Sequence, residues 1–311
     1  MSRLRSAIKP IASALILVCV GIFFWRAFSH NWAEIRAHHF QFNYPLLALS
    51  FLAVAASYLP ATYGWHIAVN TLSAVNKVTF AQSFATVNTS GLTRYVPGKV
   101  WNLALQMYWL TKLGISKSLV VYVNLINLFV GIITEVILGV AYLLSSSDKI
   151  PLSTTLSLLG VLLALDLCVI RYQSQIFNWL ITLVNRVLKK DLPRSNVPAK
   201  LMLQLHVIQF ASCFAFGIGA YFLCLGLGYT LSLREALLIM ASLLLSEVGG
   251  ILAVLAPGGI GVREGIMYAM LGGASTAAIS LILPLAVRGV TMAVDVLLGL
   301  IGLKLLRQFV K

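Results

Sequence analysis

Charged residues, and acidic residues above all, are scarce in this sequence. Only 10% of its 311 residues are charged, and 9 Asp or Glu stand against 23 Lys or Arg, for a formal net charge of +14. Soluble domains carry roughly a quarter charged residues. Hydrophobic residues reach 59%, which is more than a compact soluble chain of this length can bury. The composition excludes a soluble domain and predicts an integral membrane protein.

Motifs of soluble chemistry are also missing. The four cysteines lie in apolar stretches without CxxC spacing, which predicts neither a disulfide nor a metal site. Residues 91–99 lack P-loop spacing, and Gly259-Ile260-Gly261 lacks dinucleotide-binding spacing. The basic residues cluster between apolar runs, which is typical of membrane loops and not of a nucleic-acid-binding surface. We therefore expect no cofactor, no metal and no nucleic-acid partner.

Six apolar runs are long enough for a membrane-spanning helix, which takes about 20 residues. The N-terminal run follows three basic residues as in a signal peptide, but its cleavage site is poor, so we interpret it as a span. Residues 175–190 instead place apolar side chains at helical spacing ahead of two lysines, which predicts a helix in the cytoplasmic interface. The six runs are Ile8 to Phe28, Pro45 to Val69, Leu119 to Leu144, Leu152 to Ile170, Leu203 to Leu227 and Leu285 to Leu306.

Two further apolar regions, near 80–109 and 236–273, are interrupted by polar residues and glycines. Irregular backbone at membrane depth needs protein or a watery cavity around it, so we predict that each region is a re-entrant helical hairpin. Each contains a Pro-Gly pair, Pro97-Gly98 and Pro257-Gly258, and three spans lie between the two pairs. The hairpins would then enter from opposite faces, as in transporters with an inverted repeat. The predicted fold is a single all-α membrane domain over 1–311, with about six transmembrane helices and this possible repeat.

The distribution of basic residues predicts the orientation. With the N-terminus inside, 17 of the 23 Lys and Arg fall in cytoplasmic segments, and the outer loops carry only four. This asymmetry predicts that the N-terminus and the C-terminus are both cytoplasmic.

Several ionisable residues fall inside the apolar regions, where each costs about 2.5–3.5 kcal/mol on insertion scales and so indicates function. The alternative is that they pair with one another and hold helices together. Because Arg288 and Asp295 are two helical turns apart, we expect each to pair elsewhere. We assign Asp166, close to Arg171, to structure. The other candidates are Glu135, Glu247, Arg263 and Glu264.

The glycine-rich loop before Arg263 has the features of an anion site. Its backbone amides can turn inward, and the helix that follows presents its positive N-terminal end. Gly261 and Gly265, four residues apart, would let another helix approach closely. We predict that a lipid phosphate binds to residues from both hairpins and from the last span. They are Arg94, Lys99, Gly258, Gly259, Gly261, Arg263 and Arg288.

Two segments resemble motifs of a known family. Arg94-Tyr95-Val96-Pro97-Gly98-Lys99-Val100-Trp101 looks like its first motif, and residues 256–265, with the sequence APGGIGVREG, look like its second. The family is the flippase-like membrane domain of lysylphosphatidylglycerol synthases, also found as stand-alone proteins. The resemblance implies that the protein moves an aminoacylated or polyprenyl-linked lipid from the inner to the outer leaflet, through a cavity between the hairpins. It does not carry over the synthase reaction, because this chain has no soluble domain that could charge a lipid.

We therefore expect a lipid flippase of the bacterial inner membrane and not an enzyme, with no catalytic residues. Glu135, Glu247, Glu264 and Asp295 would balance the basic residues or meet a cationic headgroup. The expected partners are membrane lipids and a separate lipid-modifying transferase. Two alternatives stay open at this point. The chain could be an accessory subunit of a glycosyl- or aminoacyl-transferase, or a membrane transferase itself with Glu247 or Glu264 as its acid or base.

Overall fold

The computed structural model describes residues 21–22, 25–37, 41–74, 76–95, 100–147, 150–188, 197–253, 256–272 and 276–309. These residues form helices and short connections, and no β-strand occurs among them. Single 3₁₀ turns lie at Leu92–Tyr95 and Pro257–Gly259. The α-helices are α1 (Trp32–Ala37), α2 (Tyr44–Leu72), α3 (Phe80–Gly91), α4 (Trp101–Lys112), α5 (Lys117–Ser145), α6 (Leu152–Leu188), α7 (Ala199–Gly226), α8 (Leu233–Leu252), α9 (Val262–Leu271) and α10 (Ala277–Phe309).

Six of these helices are long and apolar enough to cross a membrane, namely α2, α5, α6, α7, α8 and α10. Five of them correspond to predicted spans, and the sixth, α8, belongs to the second predicted hairpin. The first predicted span, Ile8 to Phe28, lies largely outside the described residues. The prediction of an all-α, multi-pass membrane protein is confirmed.

Two helices are longer than the spans predicted from the apolar segments. Helix α10 begins at Ala277 and continues through Pro284, because neighbouring helices and polar side chains can satisfy the backbone groups that a proline frees in a membrane. Helix α6 continues without a break to Leu188, so residues 175–188 extend the fourth predicted span and do not form a separate helix. The position of this extension in the membrane interface stays a prediction.

Short polar residues begin several of the helices. The hydroxyl of Thr79 accepts a hydrogen bond from the Gln82 amide, and the Gln82 side chain accepts from the Thr79 amide. Ser232 and Glu235 form the same reciprocal box at the start of α8. Each box satisfies two amide groups that a helix start leaves without partners.

Helices α2 and α7 form the central pair of the bundle and approach each other at glycines. A Cβ atom at Gly219 of α7 would lie 2.6 Å from Cγ2 of Val54 and 3.3 Å from the carbonyl oxygen of Ser50 on α2. The Ser212 hydroxyl of α7 donates to the Ser57 carbonyl oxygen at 2.8 Å. Since lipid gives no hydrophobic driving force between helices, such close packing and hydrogen bonding hold the pair together.

The first predicted hairpin consists of two short helices. Helices α3 and α4 have 12 residues each, or about 18 Å, against a hydrocarbon core of about 30 Å. Their polar faces meet, and Gln106 Nε2 donates to Ser90 Oγ at 3.1 Å. The second hairpin is unequal, because α8 has 20 residues and α9 has 10. The arm lengths of the first hairpin fit re-entrance, which stays a prediction for both.

The order of elements recurs along the chain, and two of its landmarks recur at the same interval. The interval from the start of α5 at Lys117 to the start of α10 at Ala277 equals the interval from Pro97 to Pro257, and we call it the repeat interval. The packing recurs as well, because α3 packs on α10 while α8 packs on α5, and α2 and α7 pack on each other. A two-fold relation between residues 44–145 and 199–309 would produce this exchange of partners. It supports the predicted inverted repeat without establishing it.

Candidate functional site

A cavity of about 210 Å³ lies within the helix bundle, between α2, α3, α5, α7, α8, α9 and α10. Its lining brings together six charged residues that the sequence singled out, from elements far apart in the chain. Ser57, Thr62, Asn88, Gln209 and Ser212 add polar groups. The six charged residues are Arg94, Glu135, Glu247, Arg263, Arg288 and Asp295.

Asp295 on α10 is the most heavily bonded carboxylate of the cavity. Its side chain lies 3.2 Å from the guanidinium of Arg94, in the 3₁₀ turn of the first hairpin. It also accepts hydrogen bonds from the hydroxyls of Tyr58, at 2.9 Å, and Tyr95. Asp295 is only 4% exposed, so these three partners compensate for its burial.

Arg263 and Glu247 form a second ion pair, between α9 and α8. Gly250 makes room for the arginine, because a Cβ there would lie 2.5 Å from Cγ of Arg263. One donor of the guanidinium, Nε, is buried without a hydrogen-bond acceptor among the described residues. Arg263 is thus held by one carboxylate and keeps a free donor.

Arg288 on α10 connects the two hairpins. Its Nε lies 3.6 Å from Glu264 Oε1, too far for a hydrogen bond, and its Nη2 donates to the Gly258 carbonyl oxygen at 3.2 Å. The guanidinium also lies over the ring of Tyr95, with 5.2 Å between Cζ and the ring centre. As predicted, Arg288 and Asp295 pair with other residues and not with each other.

The glycine turn adopts the backbone that glycine allows, with φ of +59° at Gly258, +70° at Gly259 and +85° at Gly261. Two of its amides are occupied within the turn. The Gly259 amide donates to the Ala256 carbonyl oxygen at 3.0 Å, and the Gly261 amide donates to Glu264 at 2.6 Å. In this conformation the turn presents a carbonyl oxygen to Arg288, and not free amides as we predicted, because Glu264 caps α9 from within.

Among the described residues, no other helix approaches Gly265 closely, and the predicted role of this glycine stays a prediction. No described atom outside its own helix and chain neighbours lies within 4 Å of a Cβ atom built there. Glu264 beside it is 4% exposed and lines a small adjoining pocket of about 20 Å³, which shares Arg263 and Arg288 with the cavity. Lys99, the remaining predicted phosphate ligand, lies outside the described residues.

Glu135 on α5 differs from the other carboxylates of the site. Its Oε2 is buried and has no hydrogen-bond partner, and no cation forms an ion pair with it among the described residues. The described part of the site thus contains three arginines and four carboxylates, and Glu135 is the carboxylate left over.

Sequence reasoning missed the polar residues that α2 and α7 contribute. The Tyr58 hydroxyl donates to Asp295, and the Ser212 hydroxyl donates to the Ser57 carbonyl oxygen of α2. In the sequence, a single polar residue in a long apolar helix cannot be distinguished from one that only packs against a neighbouring helix. Tyr95 could have been found, since it lies within the first motif. Asp166 lies outside the cavity and pairs with His206 at 3.2 Å, not with Arg171. The structural role assigned to it agrees with this pairing.

Comparison with known proteins supports the resemblance. The family model described as "Lysylphosphatidylglycerol synthase TM region" matches residues 11–299, which is nearly the whole chain. A search of the curated proteins gave no match.

Proposed function

Since the chain belongs to the lysylphosphatidylglycerol synthase transmembrane-region family, we propose that it transports a phosphate-bearing lipid between the two leaflets of the bacterial inner membrane. The family assignment and the six apolar helices make it a multi-pass membrane protein connected with lipids. The substrate class proposed is an aminoacyl-phospholipid or a polyprenyl-linked lipid phosphate.

One observation carries this proposal: three arginines converge on a single cavity inside the membrane bundle. Guanidinium groups bind phosphate through two parallel hydrogen bonds and are weakly hydrated, which suits recognition away from bulk water. The Nε atoms of Arg263 and Arg288 are buried without a hydrogen-bond acceptor among the described residues. A lipid phosphate that enters the cavity would find these two donors available.

The carboxylates hold the arginines while the site is empty. Arg94 pairs with Asp295, Arg263 with Glu247, and Arg288 with Glu264. A buried cation without a partner would destabilise the fold by several kcal/mol. A phosphate that takes over one of these arginines would therefore leave its carboxylate in need of another cation or of a proton.

The engagement of these carboxylates favours transport over catalysis. A general acid or base must reach the reacting group of a substrate. Glu247 and Glu264 are directed at arginines, and Glu264 also caps a helix. We propose that the chain is not an enzyme, and that any transferase acting on the same lipid is a separate protein.

The position of the turns indicates how the site would open. A Cβ atom at Gly258 would lie 3.3 Å from Tyr95 Cδ1 and 3.5 Å from the Arg94 carbonyl oxygen, so the two hairpins touch beside the cavity. Rocking one half against the other would separate this contact and expose the arginines to one leaflet at a time. With both termini cytoplasmic, as proposed from the basic residues, the membrane potential would act on a lipid that moves with a net charge, by about 2.3 kcal/mol per elementary charge per 100 mV.

The test is lipid movement in proteoliposomes. Fluorescent phospholipids, a lysyl-phospholipid and a polyprenyl-phosphate sugar would be compared, with wild type beside Arg94→Gln, Arg263→Gln and Arg288→Gln. Arg171→Gln is the matched control, because Arg171 is exposed and lies outside the cavity. We expect one lipid class to move, with a loss of at least about tenfold in each cavity variant, or about 1.4 kcal/mol.

Equal movement in the control and the cavity variants would contradict a role of the arginines. No movement of any lipid by correctly folded wild type would overturn transport. The accessory-subunit hypothesis would then be tested by co-purification with a lipid-modifying transferase.

A further inference from the structure

The unequal number of charges in the site is the starting point. Arg94, Arg263 and Arg288 are each matched by one carboxylate, and Glu135 has no cation of its own among the described residues. Fully ionised, these seven side chains would carry one excess negative charge, which opposes the entry of a phosphate. The described part of the cavity and its adjoining pocket, taken together, therefore accepts an anion more readily when one of these carboxylates is neutral.

The repeat interval shows why Glu135 is the carboxylate left over. Asp295 follows Glu135 by this interval, so it occupies the same position on α10 that Glu135 occupies on α5. Asp295 is bound by Arg94, whereas the residue that follows Arg94 by the same interval is a valine, Val254. The second half of the chain thus lacks the arginine that would pair with Glu135.

The charged neighbours of Glu135 do not replace the missing arginine as an ion-pair partner. The charged groups that act on it are Glu247 of α8, which is repulsive, and Arg263 of α9, which is attractive. Arg263 is engaged by Glu247 itself. Glu135 thus faces a repulsive carboxylate and an arginine that is already paired, so no cation offsets its charge among the described residues.

The other elements packed on α5 add no base or cation beside Glu135. Helix α7 contributes the Cys213 thiol and the Gln209 amide to the cavity, and α2 contributes the Tyr58 hydroxyl. Helices α4 and α6 contribute no lining residue, and Asp166 of α6 is paired with His206 of α7. Across the cavity, Arg94 pairs with Asp295, and Arg288 lies beside Glu264.

We propose that Glu135 is a proton-binding site whose protonation accompanies the entry of the lipid phosphate. This inference rests on the proposed function. One proton binds a carboxylate oxygen of Glu135 as one singly charged phosphate enters, so the pair adds no net charge to the cavity. By linkage, a bound phosphate raises the proton affinity of Glu135, and a proton raises the phosphate affinity by the same factor.

This co-binding couples transport to a pH gradient. The acidic side loads proton and lipid together, and the lipid moves toward the leaflet that faces the more basic compartment. In a membrane whose outer side is acidic, the movement would run from the outer to the inner leaflet, opposite to the direction that the family resemblance implies.

Proton uptake on binding is the first measurement. Dihexanoyl phosphatidylglycerol is the probe, because a phosphodiester keeps its single charge across mildly acidic to mildly basic pH. Titration calorimetry in buffers of different ionisation enthalpy counts the protons taken up per lipid. We expect about one proton for wild type and for the control Asp166→Asn, none for Glu135→Gln, and affinity that rises by up to about tenfold per pH unit of acidification in wild type.

Absence of proton uptake in wild type that binds the probe, or uptake that persists in Glu135→Gln, would overturn the inference. Glu135→Gln should bind with an affinity that does not change with pH, because its amide stays neutral. If wild type does not bind the probe in either buffer, the phosphate site of the proposed function fails, and this inference fails with it.

Transport separates the two proposals. Proteoliposomes that move lipid equally with and without a pH gradient would leave the transporter standing and remove the coupling. We expect wild type to accumulate labelled lipid in the leaflet away from the acidic side. Glu135→Gln should only equilibrate the lipid between the leaflets.

Discussion

Glu135 and Asp295 line one cavity from opposite halves of the chain, and the interval between them equals the interval between the starts of α5 and α10. Asp295 has an arginine and two tyrosine hydroxyls as partners, and Glu135 has none among the described residues. Two positions separated by the repeat interval therefore have different chemistry. Asp295 acts as an anchor between α10 and the first hairpin, and this role can be tested separately from transport.

Replacement of Arg94 by alanine should destabilise the fold by about 3 kcal/mol, at the low end for a broken buried ion pair, because 37% of the Arg94 side chain is exposed. The cause is the Asp295 charge, which stays buried without its cation. Thermal unfolding in detergent would measure the change. The double variant Arg94→Ala with Asp295→Asn should recover most of the loss, and a double variant as unstable as the single one would contradict the assignment.

Glu264 should be needed for the start of α9 more than for its charge. Glu264→Gln keeps an oxygen that accepts from the Gly261 amide, whereas Glu264→Ala removes the cap, at a typical cost of about 1 kcal/mol. We expect a lowered unfolding temperature for alanine and a nearly unchanged one for glutamine. Equal losses in both variants would show that the contact with Arg288 is the larger contribution.

Replacement by alanine should affect stability differently at two glycines of the second motif, Gly259 and Gly265. At Gly259, with φ of +70°, a Cβ atom would lie 2.9 Å from the Cα of Gly250 and 3.1 Å from its carbonyl oxygen, so backbone must move. At Gly265, a Cβ meets nothing within 4 Å among the described residues. Gly259→Ala should unfold at a lower temperature, and Gly265→Ala should be neutral or up to about 1 kcal/mol more stable.

Single cysteines in a cysteine-free background would test the orientation of the hairpins. Ala74 and Lys117 are exposed and flank the first hairpin, and Leu233 and Thr276 are exposed and flank the second. Impermeant maleimide should label the first two from one face of the membrane and the last two from the other. If Lys117 is labelled from the face opposite to Ala74, the first hairpin crosses the membrane and is not re-entrant.

The lengths of the apolar runs predicted most of the membrane-spanning helices. The charged residues inside those runs predicted most of the charged residues of the site. A span is a local property of about 20 residues, and intramembrane charges are rare enough to stand out in a single sequence. The pairing among them was not predictable, because Arg94 and Asp295 meet only through the packing of α3 on α10. Pro284 caused the start of α10 to be placed too late, since a membrane helix tolerates the proline that would interrupt a soluble one.

The glycine turn shows a different limit of sequence reasoning. The glycines themselves predicted positive φ angles in this turn. Whether the Gly261 amide was free to bind a ligand depended on whether the Glu264 side chain accepted its hydrogen bond. A Glu three residues after a helix start is the common signature of such a box. The Glu of that signature is present here as Glu264, and it indicated that the Gly261 amide would be occupied and not free.

Helix α6 stands apart from the exchange of partners that relates the two halves. It takes no part in the pairing of α2 with α7, of α3 with α10 or of α8 with α5, and leucines such as Leu163 and Leu165 are each 58% exposed. If the hairpins are re-entrant, each half crosses the membrane twice, through α2 and α5 or through α7 and α10. Tandem copies of an even number of crossings face the same way, so the single added crossing of α6 turns the second copy upside down. Helix α6 thus makes the number of membrane crossings between the two halves odd. Any apolar helix long enough to cross the membrane at this point would do the same.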